Sequence, residues 1–116
     1  MNVPATILAQ LGGRRFAVMT GSKDFVGDGD TLRMSLARNS SGANRLEITL
    51  NGLDLYDMRF YRRTGGKFNK KTYEFTPIKE KDIKVYHDVW CDQLEELFRE
   101  VTGLETRMPR VIGINA

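Results

Sequence analysis

Cysteine and histidine are almost missing from this chain of 116 residues, which has one of each. The single cysteine, Cys91, excludes a disulfide within the chain and is typical of a reducing compartment. Two such residues cannot build a metal centre from cysteine and histidine ligands. No apolar run approaches the roughly 20 residues that span a bilayer, and the N-terminus lacks the basic start and apolar stretch of an export signal. We therefore expect a cytoplasmic protein without metal, cofactor or membrane contact.

Signatures of catalysis are also missing. Asp24, Asp28 and Asp30 share a glycine-rich segment, but they lack the spacing and the anchoring glutamate of a calcium loop, so we interpret the segment as a turn. Residues 65–67 have the sequence Gly-Gly-Lys without the flanking residues of a phosphate-binding loop. No nucleophile is paired with a base, and we expect a protein that is not an enzyme.

His87 and Cys91 have the spacing of a metal or thiolate site, because they lie four residues apart on a predicted helix. No further histidine or cysteine completes such a site. We interpret His87 as a histidine at the start of the helix and Cys91 as a small buried thiol packed against Leu94 and Phe98.

The overall composition is that of a globular protein. Hydrophobic residues make up 41% of the chain and charged residues 28%, values close to the globular average. A chain of this length buries roughly two thirds of the surface that it exposes when unfolded, which is enough for one hydrophobic core. We expect a single domain over residues 1–116, with residues 105–116 as a flexible tail.

Local signals predict the first elements. A capping residue at Asn2 and two consecutive glycines at the other end predict a helix over residues 3–11. The pattern that follows predicts a strand over residues 14–20 and then a glycine-rich loop over residues 20–30.

Strict alternation of apolar and polar residues predicts strands over residues 32–36 and 46–50, joined by a polar turn. The parity of the apolar positions changes near Asp54, which predicts a bulge or a longer turn. A third strand of this meander then extends to about residue 63.

The C-terminal half predicts one more strand and a helix. The strand covers residues from about 68 to 76, with Tyr73 and Phe75 facing inward. The helix begins at Asp82 or Asp88 and ends at residue 102. Its apolar stripe consists of Trp90, Leu94, Leu97, Phe98 and Val101. This order predicts the α+β class, with an antiparallel sheet of four to five strands, a short N-terminal helix and a longer C-terminal helix packed on one face.

Positive charge is concentrated on one predicted hairpin. Residues 59–71 contain six lysines or arginines and no acidic residue, and Tyr61 and Phe68 are interleaved with them. Closely spaced cations bind phosphates and exposed rings stack on unpaired bases, so this pattern predicts a surface for nucleic acid or a nucleoprotein complex. The candidate binding residues are Arg59, Tyr61, Arg62, Arg63, Lys67, Phe68, Lys70 and Lys71.

Tyr61 is expected on the surface, because its parity opposes that of Phe60. Arg14, Arg15 and Arg38 are candidate extensions whose faces the sequence leaves open. The alternative interpretation is a solvated hairpin whose charges keep an edge strand from pairing with other chains.

The predicted C-terminal helix has the opposite sign, with five acidic residues against Arg99 between residues 88 and 100. Repulsion would turn this helix away from phosphates and orient the molecule. The same helix supports a different class of function, a protein-interaction module that uses the acidic helix or a sheet edge without touching nucleic acid. In that case its face mimics nucleic acid toward a basic host protein; the plainer interpretation is a solvated amphipathic face.

Several short strings occur together here: residues 11–13 (Leu-Gly-Gly), 19–21 (Met-Thr-Gly), 48–52 (Ile-Thr-Leu-Asn-Gly) and 94–104, which ends in Val-Thr-Gly-Leu. They resemble a family of small bacteriophage and prophage accessory proteins over about residues 5–104, and none is a catalytic signature. The resemblance implies a phage or mobile-element origin and a place in the cytoplasm of a bacterial host. It also implies an accessory role, in handling nucleic acid or in blocking host enzymes, including defence complexes such as CRISPR effectors. The partner and the oligomeric state are left open.

Overall fold

The computed structural model describes residues 2–106, which form three α-helices, seven strands and one 3₁₀ turn. In chain order the elements are α1 (Val3–Leu11), α2 (Gly13–Thr20), β1 (Lys23–Asp28), β2 (Thr31–Ser35), β3 (Arg45–Leu50), β4 (Tyr56–Thr64), β5 (Phe68–Asn69), β6 (Glu74–Phe75), β7 (Lys79–Val89), the 3₁₀ turn (Cys91–Gln93) and α3 (Leu94–Thr102). None of the helices in this part of the chain has the length and apolar character that a membrane span requires.

Five of the strands form one antiparallel sheet in the order β1-β2-β3-β4-β7. The first four follow one another along the chain as a meander, and β7 returns to pair with the outer side of β4. Strands β5 and β6 form a separate small hairpin between β4 and β7. The predicted α+β class and antiparallel sheet are confirmed.

The core lies between one face of the sheet and the helices. Alternation along β2, β3 and β4 places every second side chain inward, as the sequence predicts. Phe98 of α3 is fully buried, with its ring 4.8 Å from that of Phe16 and 6.2 Å from that of Phe60 between centroids. The aromatic contacts therefore join α2, α3 and the sheet.

The predicted N-terminal helix is confirmed as α1. The side-chain oxygen of Asn2 accepts a hydrogen bond from the Ala5 N–H at 3.1 Å, and the Gly12 N–H donates to the Ala9 carbonyl at 3.1 Å. Both ends of the helix therefore have the capping that the sequence predicts.

The strand predicted over residues 14–20 is wrong, because these residues form α2. Gly12 and Gly13 adopt φ of 124° and 61°, and this reversal lets a second helix begin directly after the first. Phe16 and Thr20 lie one helical turn apart and are both buried, and the Thr20 hydroxyl donates to the Phe16 carbonyl at 2.7 Å. Val18, between them, is exposed. The loop predicted over residues 20–30 is also wrong, since most of it is the edge strand β1.

The predicted meander is confirmed over β2, β3 and β4. The turn between β3 and β4 is the longer kind, and Asp54 adopts a φ of 59° within it. The Asn51 side-chain oxygen accepts a hydrogen bond from the Leu53 N–H at 2.8 Å and so stabilises the turn.

The C-terminal half departs most from the prediction. The strand expected over residues 68–76 is reduced to the two-residue strands β5 and β6, and Tyr73 and Phe75 are exposed. Residues 79–89 form the long strand β7, so the helix begins at Leu94 and not at Asp82 or Asp88. As a strand, this segment pairs its backbone N–H and C=O groups with those of β4. As a helix it would bond to itself and leave the outer edge of β4 unpaired.

The apolar stripe of the predicted helix is correct only within α3. Leu94 and Phe98 are buried, and Leu97 and Val101 pack against the core. Trp90 precedes the helix and is 62% exposed. Of the predicted tail, Thr106 is buried and its hydroxyl donates to Glu95 at 2.9 Å, while residues 107–116 lie outside the described residues.

We expect Phe98→Ala to lower the free energy of unfolding by about 3–5 kcal/mol, because it removes the ring that joins two helices to the sheet and leaves a cavity. Urea denaturation measures the change. The exposed Val18→Ala is the control and should change stability by less than about 0.5 kcal/mol. A Phe98→Ala protein as stable as this control would contradict the described core.

Candidate nucleic-acid interface

Strands β4 and β7 extend beyond the rest of the sheet. Pairing between β3 and β4 ends at the pair Arg45 and Tyr61, whereas β7 continues to pair with β4 as far as Thr64. Residues 62–81 therefore leave the sheet as a two-stranded ribbon closed by the β5–β6 hairpin, and we call this segment the arm. The radius of gyration, 16.2 Å, exceeds the roughly 13 Å expected for a compact domain of about this size, so the fold is more extended than a compact domain.

The base of the hairpin is held by backbone geometry. Gly65 adopts a φ of 93°, and a Cβ at this position would overlap the carbonyl group of Pro77. The Gly66 N–H donates to the Thr76 carbonyl at 2.8 Å, and the Thr76 N–H donates to the Lys67 carbonyl at 2.9 Å. At the predicted turn, the backbone of Gly65 therefore lies so close to the backbone of Pro77 that only glycine fits.

The arm carries most of the excess positive charge. It contains seven lysines and arginines against two glutamates, a net charge of +5, while the rest of the chain has a net charge of −2. The seven cations are Arg62, Arg63, Lys67, Lys70, Lys71, Lys79 and Lys81, and all are exposed. Within residues 2–106 no carboxylate forms a salt bridge with any of them.

The register of the ribbon separates these cations by face. Residues directly opposite each other in an antiparallel pair point to the same side. Arg62 pairs with Lys81 and Thr64 with Lys79, whereas Arg63 pairs with Glu80 on the other side. One side of the arm therefore presents Arg62, Lys79 and Lys81 without an acidic neighbour opposite, and we call it the cationic face.

Arg59 is not part of this surface, which corrects its predicted role. Its guanidinium donates to Asp82 at 2.6 Å, to Glu80 at 3.2 Å and to Glu47 at 3.3 Å. Burial lowers the pKa of Arg59, but the hydrogen bonds to Asp82, Glu80 and Glu47 outweigh burial and raise it above its ordinary value. Three carboxylates therefore occupy this cation, and it is not available to a phosphate.

Tyr61 is also misplaced by the prediction. The residue is only 3% exposed, and the Arg59 guanidinium carbon lies 4.0 Å from the centroid of its ring. Tyr61 lies outside the hydrophobic core cluster, and its parity predicts this position. It is buried nevertheless, because Arg59 covers its ring on the solvent side. Burial raises the pKa of Tyr61, and the nearby charges of Glu47 and Glu80 raise it further. The ring has no free face on which a base could stack.

The ion pairs of Arg59 continue across the sheet. Glu47 also accepts a hydrogen bond from Arg33 at 2.7 Å, and Arg33 contacts Asp28 at 3.2 Å. The hydrogen bonds to Glu47 and Asp28 raise the pKa of Arg33. A row of alternating charges thus crosses all five strands on the outer face of the sheet.

The remaining candidate cations divide in two. Arg62 donates to the Gly42 carbonyl at 2.9 Å and lines a shallow depression of about 520 Å³ together with Arg38, so Arg38 extends the basic surface. Arg15 contacts Glu95 at 3.6 Å instead, and Arg14 is exposed on α2.

Four residues of the arm were not predicted as part of the site: Tyr73, Phe75, Lys79 and Lys81. The two aromatic residues contact Phe68, with ring centroids 6.2 Å and 5.1 Å from it, and we call Phe68, Tyr73 and Phe75 the aromatic tip. The two lysines become neighbours of Arg62 only through the pairing of β7 with β4. In the sequence, only the lysine-rich stretch after Pro77 points to Lys79 and Lys81.

The acidic helix is shorter and less acidic than predicted. Asp88 and Asp92 precede α3, and Glu95 is engaged by Arg15 and Thr106. Glu96 and Glu100 are exposed on the helix.

His87 and Cys91 do not share a helix. The interpretation of His87 as a histidine at the start of a helix is therefore wrong, and so is that of Cys91 as a buried thiol. His87 lies on β7, with its Nδ1 3.4 Å from Asp57, and Cys91 is exposed in the 3₁₀ turn. Across residues 2–106 no group of three or more His, Cys, Asp or Glu side chains comes together as a metal site requires.

Comparison with protein-family models, with curated proteins and with solved structures finds no match to this chain. The resemblance to small phage proteins therefore stays a prediction.

We expect Arg59→Met to lower the free energy of unfolding by about 1–2 kcal/mol at neutral pH, because Glu80 and Asp82 lose the cation that binds them and Glu47 keeps only Arg33. Urea denaturation measures the loss. Arg63→Met, the neighbouring exposed arginine without a carboxylate partner in the described residues, is the control and should have less than a third of the effect. Equal effects of the two substitutions would show that the charge row does not hold β7 on the sheet.

Proposed function

We propose that this protein binds nucleic acid, free or within a nucleoprotein complex, through the arm and without catalysis. The observation that carries the proposal is the group of seven exposed arm cations that have no salt bridge within residues 2–106. Phosphate binding releases counterions from the nucleic acid, and cations that are not already paired contribute this free energy in full.

The shape of the arm supports the same proposal. A two-stranded ribbon is narrow enough to enter the major groove of a duplex or to lie along a single strand. The net charge of +5 on the arm and −2 on the rest of the chain would orient the molecule with its arm toward the phosphates. Arg38 lies beside Arg62 and would lengthen the contact toward the body of the protein.

The phage resemblance adds a biological setting to this proposal. In the cytoplasm of a bacterial host, a small basic binder of this kind would inhibit a defence nucleoprotein, such as a CRISPR effector, by occupying its nucleic acid. This setting is an analogy between gene classes and rests on no residue of the arm.

A second function, a protein-interaction module, is favoured by the free edge of β7. This strand pairs with β4 on one side, and no strand in residues 2–106 pairs with its other side. An exposed edge can add a strand from a partner protein. Lys79, Lys81 and Lys84 on the same strand oppose such pairing, because edge lysines are a common protection against it.

We expect Lys79→Ala combined with Lys81→Ala to weaken oligonucleotide binding about tenfold or more near 0.1 M salt, and to reduce the slope of log affinity against log salt by about 2 on a duplex. Fluorescence anisotropy over a salt series measures both quantities, with single-stranded and duplex oligonucleotides. Arg62 stays unchanged in this variant because it also bonds to Gly42.

The matched control is Arg14→Ala combined with Lys23→Ala, which removes the same charge from exposed positions outside the arm. It should leave the salt slope within about 0.5 of the parent. If both variants weakened oligonucleotide binding equally, binding would depend on the total charge of the protein and not on the arm. A parent protein that binds no oligonucleotide even at low salt, but retains one host protein, would instead favour the β7 edge.

A further inference from the structure

We infer that the aromatic tip is a stacking site for unpaired bases, so that single-stranded nucleic acid is the preferred ligand of the arm. This inference rests on the proposed function and adds the class of nucleic acid to it. Three observations support it: the aromatic tip has three exposed rings, lysines lie beside Phe68, and these residues are at the end of the arm.

The rings of the aromatic tip form a small cluster with open faces. Phe68 lies in the middle and is 47% exposed, while Tyr73 and Phe75 on either side are 80% and 70% exposed. The interplanar angles are 63° between Phe68 and Tyr73 and 49° between Phe68 and Phe75. The two outer rings are therefore tilted relative to Phe68, and most of their surface is in solvent.

The backbone holds Tyr73 in this exposed position. Tyr73 adopts a φ of 58°, a conformation that is uncommon for a bulky side chain. Its N–H donates to the Asn69 carbonyl at 2.7 Å, and the Asn69 side-chain oxygen accepts from the Lys71 N–H at 2.9 Å. These bonds close a tight turn at the end of the arm and hold Tyr73 in this backbone conformation, with its ring in solvent.

Packing within the fold does not explain these rings. Strands β5 and β6 have two residues each and are exposed throughout, and Phe68 and Phe75 are paired only with each other across the hairpin. An aromatic group displayed in this way is a common feature of binding surfaces.

The surroundings of the aromatic tip indicate a phosphate-bearing ligand. A shallow depression of about 550 Å³ lies beside Phe68, and its lining residues are Lys67, Phe68, Asn69, Lys70, Lys71 and Thr76. A base placed against Phe68 would lie beside a depression that is lined by three lysines, which could contact its phosphates. Aromatic rings interleaved with cations are the combination by which proteins bind single strands without sequence preference.

The same geometry disfavours a duplex as the preferred ligand. Bases in a duplex are already stacked and present only their edges, so a ring can stack on them only by wedging the step open, which costs free energy. An unpaired base offers its face without that cost. A protein or lipid partner would also meet an aromatic surface, but neither accounts as directly for lysines on the rim of a depression next to a ring.

The test compares the parent with Tyr73→Leu combined with Phe75→Leu, a variant that keeps the apolar character and charge of the tip but removes two of its rings. We expect the variant to bind a single-stranded oligonucleotide about tenfold more weakly than the parent, and a duplex of the same length with less than twofold change. The control is Val18→Ala combined with Leu53→Ala, which alters exposed apolar residues outside the arm and should change neither affinity. Far-ultraviolet circular dichroism checks that each variant is folded.

Three results would overturn the inference: tighter binding of the parent to the duplex, equal weakening of both ligands, or no effect of the leucine substitutions. A fourth is loss in the variant of binding to phosphatidylcholine–phosphatidylserine vesicles while single-strand affinity is unchanged, which would identify a lipid surface. Failure of stacking alone leaves the effect of Lys79→Ala and Lys81→Ala intact. Failure of the proposed function removes oligonucleotide binding from the parent itself.

Discussion

A row of alternating charges across the outer face of the sheet is the constraint on which the functional surface depends. Arg33 and Arg59 each sit between carboxylates from neighbouring strands, and Glu47 bridges the two arginines. The register places Arg33 opposite Glu47 and Glu47 opposite Arg59, so the pairs belong to one line across the strands. Glu80 and Asp82 of β7 bind Arg59 in this row, and neither forms a salt bridge with Lys79 or Lys81 of the same strand within residues 2–106.

The difference in strand length turns this charge pattern into a surface. Because β3 stops pairing at Tyr61 and β7 does not, the ribbon continues past the end of β3, while Arg62 and Arg63 at its base still bond to Gly42 and Asn44. Arg62, Lys79 and Lys81 share one side of that ribbon, and the aromatic tip closes it. A basic segment alone would be weak evidence, since solvated charges are common. The absence of salt bridges to these cations in residues 2–106, together with the displayed rings, supports binding more strongly.

Local sequence patterns predicted those parts of the fold that local interactions determine. Caps and glycines gave α1, and alternation gave β2, β3 and β4. Helix α2 was missed because Phe16 and Val18 also fit a strand, and only the turn at Gly12 and Gly13 decides between them. Strand β7 was missed because its partner, β4, lies far away along the chain. For the site, the density of cations was visible in sequence, but the capture of Arg59 by acids of β7 depends on the same distant pairing.

The most direct test of this account is an NMR titration of the ¹⁵N-labelled protein with a single-stranded oligonucleotide. We expect the largest backbone amide shifts to fall within residues 62–81 and to reach Arg38, while amides of α3 and those around Glu47 change little. Shifts centred on α3 or on the body of the sheet, with the arm unaffected, would contradict it.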